Sequence, residues 1–278
     1  MRDNEDRFAT PDDGAPAVVG TESKTLQFTA PTEFVPLPSR GHFYPPGHPL
    51  HGEDTIEMKF MTAKEEDMLT SKSLIKKGVA IDRMLQSLLV DKRIQVEDLL
   101  LGDKNALTIA ARVSGYGSDY EISITCPSCE EKSKYNFDLS LIKEKEMVDI
   151  ESLPLIDNKD GTFTARMFKT EAEVTFRLLN GRDELAIVKS MNDKKVVREE
   201  KNSTSQLKRI IVSVNGETDK RFIEDFVDNL PVIDARLLRN LSKDVSPNVD
   251  MNQEFNCSNC GHEEEVEIPF TVEFFWPK

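Results

Sequence analysis

Apolar positions along the chain change period several times, and each change predicts an element. Ile81, Met84, Leu85, Leu88 and Leu89 recur at helical spacing and predict a helix from about 79 to 91. Before it, Thr62-Ala63-Lys64-Glu65 reads as a capping box opening a helix to about Ser73, with Met68 and Leu69 inward. Val96 to Leu101 reads as a short helical turn. Asp103 reads as the cap of a helix from Lys104 to about Ser114, with Leu107, Ala110, Ala111 and Val113 inward and Gly115 and Gly117 at its end. The period then falls to two. Tyr120–Thr125 and Lys134–Leu139 predict one strand pair, and Gln253–Asn256 and Glu264–Phe270 predict another.

Between these pairs lies a stretch with its own pattern. Leu141 to Leu155 reads as a linker or short helix closed by Pro154. Thr162–Met167 and Ala172–Leu178 alternate around Lys169-Thr170-Glu171 and predict a β-hairpin. Helical spacing returns from Asp183, carrying Leu185, Ile187, Val188, Met191 and Val196. A further stretch, Ser205–Val214, carries Leu207, Ile210, Ile211 and Val214 and stops at Asn215-Gly216. Asp219 caps a helix with Phe222, Ile223, Phe226 and Val227. Pro231 starts another with Val232, Ala235, Leu237, Leu238 and Leu241.

Residues 28–60 follow neither period. Six prolines from Pro31 to Pro49 exclude a regular helix, yet Phe34, Leu37, Phe43 and Tyr44 are large and apolar. The segment reads as a strap laid on a surface, either this chain's own core or a partner. The chain closes on Phe274-Phe275-Trp276, read as an aromatic strand that either packs in the core or docks on a neighbour. The expected organisation is an acidic flexible arm over 1–27, the strap over 28–60, a helical region over 61–140, an insertion over 141–250, and a closing segment over 251–278.

All four cysteines fall in two knuckles, Cys126-x2-Cys129 and Cys257-x2-Cys260. Two residues between thiolates let both sulfurs of a knuckle reach one tetrahedral ion, and two knuckles complete a four-cysteine shell. Each knuckle sits between predicted strands, which is the layout of a zinc ribbon split by 127 residues between Cys129 and Cys257. The expected fold is therefore α+β: a helical N-terminal part plus a split four-cysteine zinc ribbon interrupted by a hairpin and helical insertion. One structural Zn2+ per chain is expected, because four thiolates leave no open position for water. Two disulfides are the competing reading. His262 is a further potential ligand, and His42, His48 and His51 a potential second cluster.

Charge narrows the function. Lys and Arg total 36 against 50 Asp and Glu, giving a net charge of −14. That balance speaks against nucleic-acid binding, although many zinc ribbons bind nucleic acid. No apolar run is long enough for a membrane span and the N-terminus lacks an apolar signal core, so a reducing cytoplasm is expected, favouring metal over disulfide. There is no Walker loop, GxGxxG, HExxH or GxSxG, hence no expected catalytic residues and no small-molecule substrate. The rival readings are a zinc-ribbon regulator acting on nucleic acid and an enzyme assembled from scattered residues.

Val35-Pro36-Leu37-Pro38-Ser39-Arg40-Gly41, Tyr44-Pro45, Met61-Thr62-Ala63-Lys64-Glu65-Glu66-Asp67 and Ile124–Cys129 occur in an order that resembles the baseplate hub assembly family of T-even-like contractile-tailed phages. The resemblance covers roughly the first half of the chain. It implies a late structural or assembly protein without enzyme activity, binding other baseplate or tail proteins. It also implies synthesis in the host cytoplasm, with action during assembly or retention in the virion's tail baseplate.

Overall fold

In the computed structural model, which describes residues 30–192, 203–268 and 272–275, the proline-rich segment is a hairpin with a long looped tip. The expected arm over 1–27 and Trp276 lie outside the described residues. β1 (Thr32–Pro36) pairs antiparallel with β2 (Thr55–Lys59), Val35 opposite Ile56. Pro36 is the last residue of β1, where a missing N–H is tolerated. The tip turns sharply at Arg40 and Gly41, which have φ of 47° and 68°. A Cβ on Gly41 would stand 2.4 Å from the Leu50 carbonyl oxygen, so only glycine fits there.

Helices follow. α1 (Ala63–Thr70) opens with the expected box, the Thr62 N–H donating to Glu65 Oε2 at 3.1 Å. It stops at Thr70, and Ser71 leads into a separate short α2 (Lys72–Lys77). α3 (Ala80–Leu88) buries Met84, Leu85 and Leu88. α4 (Leu101–Tyr116) begins before its expected cap. Asp103 lies inside its first turn, and its carboxylate faces the strap rather than the helix's own N–H groups.

Two hairpins carry the knuckles. β3 (Asp119–Thr125) pairs with β4 (Lys132–Asp138), and near the end of the chain β11 (Asn252–Asn256) pairs with β12 (Glu263–Glu267). The intervening stretch is pinched at its base, where β5 (Lys143–Glu144) pairs with β10 (Val249–Asp250). Inside it, β6 (Ile156–Asp157), β7 (Thr162–Arg166), β8 (Glu173–Arg177) and β9 (Ile211–Val214) form one antiparallel sheet in that order. The expected hairpin is β7–β8. The stretch 205–214 is not one element: α6 (Ser203–Ile210) ends and β9 begins at once. Ile211 and Val214 are taken up by the sheet, while Leu207 and Ile210 belong to the helix. α5 (Gly181–Asn192), α7 (Lys220–Asp228) and α8 (Val232–Asp244) complete the set; the Asp219 side chain caps α7 through the Phe222 N–H, and Pro231 precedes α8 as expected.

The main core runs from Val35 and Leu37 through Leu85, Leu107, Phe163 and Phe176 to Leu238 and Phe275. Strap, helices, sheet and chain end thus share one interior, which the hydrophobic effect alone favours over separate small cores. Among the described residues the chain end is not a strand. β12 stops at Glu267, and Val272–Phe275 is a 3-10 turn with Phe274 and Phe275 each 1% exposed. Arg112, fully buried, ties this turn down: its Nε donates to the Phe274 carbonyl at 2.7 Å, and its other nitrogens donate to the Gly117 and Asp119 carbonyls.

The β7–β8 tip is fastened by a different device. The buried Asp234 carboxylate of α8 accepts from the N–H groups of Phe168, Lys169 and Thr170, each at 2.9 Å, and from the Thr170 hydroxyl. Burial opposes the charged form, but these donors outweigh it and hold the Asp234 carboxyl below the usual carboxylate range. A depressed pKa contributes stability above the ordinary value near 3.9 and loses it as pH falls through the folded value. Asp234→Asn should therefore cost about 2 kcal/mol at neutral pH. That difference should shrink below about pH 4; denaturant melts across pH would refute this if the gap stayed constant.

Candidate metal centre

Each knuckle is the turn of a hairpin, and the two turns are built alike. The Cys126 N–H donates to the Glu131 carbonyl and the Glu130 N–H to the Cys126 carbonyl. One knuckle later, the Cys257 N–H donates to His262 and the Gly261 N–H to Cys257 in the same offsets. The residue after each second cysteine is left-handed, Glu130 at φ 58° and Gly261 at φ 69°. Glycine takes that conformation freely, whereas Glu130 carries a Cβ. Glu130→Gly should raise stability by about 0.5–1 kcal/mol, seen as a small rise in melting temperature. No rise would argue against strain at this turn.

The long-range result is that the turns face each other. The four Sγ atoms lie within 4.8 Å of one another. Cys126 Sγ is 3.8 Å from Cys260 Sγ, and Cys129 Sγ is 3.7 Å from Cys257 Sγ. A disulfide would need about 2.05 Å, and all four thiols are free. A tetrahedral ion with bonds of about 2.3 Å places neighbouring sulfurs about 3.8 Å apart. The four residues therefore fit one metal ion, two ligands from each hairpin.

Electrostatics agrees. The Glu131 backbone N–H and the Asn259 amide, whose Nδ2 lies 3.6 Å from the Cys129 sulfur, draw the Cys129 thiol down to about 6. The His262 backbone N–H acts in the same sense on Cys260, but burial and the other three sulfurs push it up to about 11. Cys129 ionises readily while Cys260 resists, so a bound cation would favour having both as thiolates.

The surroundings hold the sulfurs in place. Cys126, Phe255 and Cys257 are buried together, with Ile124, Tyr135 and Val266 packed around them. The Tyr135 ring lies edge-on to Phe255 at 5.2 Å, and its hydroxyl donates to the Glu254 carbonyl. Gln253 donates to the Asp138 carbonyl, completing a bridge between the hairpins. His262 is turned toward Glu264, 3.4 Å away. His48 stacks on Tyr44 with ring centres 4.4 Å apart, and His51 Nδ1 lies 2.7 Å from the Tyr44 carbonyl. Among the described residues, no second group of three such ligands converges.

The strap residues divide. Leu37, Phe43 and Tyr44 are buried against this chain's own core, while Phe34 is 68% exposed. Buried Phe274 and Phe275 likewise pack inward, so in this conformation none of these five buried side chains is free to anchor a partner. What fastens the strap is Asp103, whose carboxylate accepts from the Ser39 N–H at 3.0 Å, the Ser39 hydroxyl at 2.6 Å and the Tyr44 hydroxyl at 2.7 Å. The Tyr44 hydroxyl in turn accepts from the Leu100 N–H. The available signal was positional: Asp103 lies on the same helix face as Leu107 and Ala110, too apolar for a solvated cap.

The family model described as T4 bacteriophage base plate protein matches residues 34–276 of the chain. No curated protein and no solved structure matches it.

Proposed function

The chain belongs to the T4 bacteriophage base plate protein family, and on that premise we propose that it is a hub-region component whose scaffold is a split zinc ribbon holding one structural Zn2+. Membership makes it a structural protein of a phage baseplate, associated with the virion and in contact with other phage structural proteins. A structural family points to binding rather than catalysis. No helix among the described residues is long and apolar enough to cross a membrane.

The observation that carries the zinc reading is the convergence of four sulfurs at separations expected for a tetrahedral thiolate shell. Cys126, Cys129, Cys257 and Cys260 would hold the ion, which would act as a fixed cross-link between the hairpins. In this reading partners are protein, with neither nucleic acid nor a small-molecule substrate involved. Phe34 is the strap side chain placed to meet a partner. Leu37, Phe43 and Tyr44 shape the strap, Phe274 and Phe275 seat the 272–275 turn, and Trp276, outside the described residues, is a proposed partner anchor.

Three measurements test this. Elemental analysis of protein purified without added metal should give about one zinc per chain by the ligand count. Cryo-electron microscopy of purified tails, with mass spectrometry of particles against infected-cell lysate, should place the chain at the baseplate centre. A peripheral position refutes the hub assignment, and presence only in the lysate makes the protein a transient assembly factor. Metal content near zero refutes the zinc.

A further inference from the structure

The Asp234 clamp described above has a second effect: it fixes an apolar surface. Phe168 lies at the β7–β8 tip and is 63% exposed; Val232, at the start of α8, is 74% exposed, and Ile233 beside it is also open. Asp234 joins the two elements, because its carboxylate grips the backbone of Phe168 itself. Together with Leu237, Arg236 and Asn240 these residues line a groove of about 500 Å³. Val232 also borders a second groove, of about 660 Å³, between α6, α7 and α8. Adjacent open apolar side chains on rigid backbone are what an interface anchor site requires, since little conformational entropy remains to be lost on binding.

The charges around the two grooves choose the occupant. Their lining contains one carboxylate, Asp228, and it is already paired with Lys208 at 2.5 Å. Arg236 and Arg239 also line them, and neither has a salt-bridge partner among the described residues. The rim is thus cationic on a chain whose net charge is −14. A two-fold contact with a second copy would set one cationic rim against another, which is repulsive. We propose that the Phe168–Val232–Ile233 surface docks an acidic, apolar segment of a different protein, its apolar side chains entering the groove and its carboxylates meeting Arg236 and Arg239. Taking that protein to be another baseplate component rests on the reading given above.

A photo-crosslinking amino acid placed at position 232 of the full chain during infection, followed by peptide mapping, tests the docking. The expected product joins position 232 to a segment of another phage structural protein in which apolar residues are flanked by Asp or Glu. Phe168→Ser and Arg236→Glu should each lower the yield at least about five-fold, with melting temperature unchanged because both side chains are exposed. A crosslink to another copy of this chain, to its own residues, or to a segment without carboxylates would overturn the proposal. So would no crosslink at all from soluble, folded protein. If the acidic segment belongs to a protein absent from purified particles, the docking chemistry stands while the baseplate assignment fails.

Discussion

A Cys126→Ser, Cys257→Ser double variant is expected to purify without zinc and to lose the order of both knuckle hairpins. Structural zinc contributes on the order of 10 kcal/mol to folding in small thiolate domains. On the proposed reading that energy would hold β3–β4 against β11–β12, since the buried group around Cys126, Phe255 and Cys257 is small. The main interior is extensive and lies mostly under α3, α4, the four-stranded sheet and α8, taking from the first hairpin chiefly Tyr120 and Phe137 at the end away from the knuckle. Limited proteolysis should therefore cut near residues 126–131 and 257–262 while leaving α3, α4 and α8 protected. Chelation of the wild type should reproduce the pattern. Equal digestion of loaded and chelated protein, with all four thiols reactive in both, would show that the hairpins do not depend on metal.

Asp103→Ala is expected to cost about 3–5 kcal/mol, because it strips the acceptor from three buried donors at once, the Ser39 N–H and hydroxyl and the Tyr44 hydroxyl. For a chain of this size that corresponds to a melting loss of roughly 10 °C. Asp103→Asn keeps the shape and one acceptor, so its loss should be about a third as large. Burial pushes the Asp103 carboxyl above its ordinary range, against the Ser39 and Tyr44 hydrogen bonds. The sign follows: a raised folded pKa favours the native state when the group is protonated, so its contribution falls as pH climbs above about 4. Wild type and Asp103→Asn should accordingly draw closer in stability as pH rises from about 4. If alanine at 103 changes melting by less than about 1 °C, the strap is not held by this carboxylate.

What could be read from the sequence was local. The stripe Met84-Leu85-Leu88, the Thr62–Glu65 box, the Asp219 cap and the alternating run through Phe163 and Phe176 each carry their evidence within a few residues. The knuckles were legible for another reason: a thiol's chemistry is specific enough to survive a gap of 127 residues. Asp103 was misread because its partners are 59 to 64 residues away, and locally a buried latch differs from a cap only by the apolar face it shares with Leu107 and Ala110. β9 was missed because Ile211 and Val214 suit a helix as well as a strand until β8 is beside them. The closing aromatics looked like a strand because they are strand-favouring residues, yet a buried guanidinium from α4 fixes their backbone as a turn.

The pairing of the first knuckle with the last also sets an order of events on the ribosome. Cys126 and Cys129 emerge long before Cys257 and Cys260, and at about 5–20 residues per second the interval is roughly 6–26 s. During that time the nascent chain offers half a shell, one able to hold an ion loosely or to be oxidised. The strap, α3 and the four-stranded sheet have most of their partners in hand by then, whereas Arg112 of α4 still waits for the Phe274 carbonyl. If the two knuckles share one ion, locking of the hairpins waits for Cys257 and Cys260, and a ribosome that stops short of Cys257 would release a chain whose first knuckle has no partner.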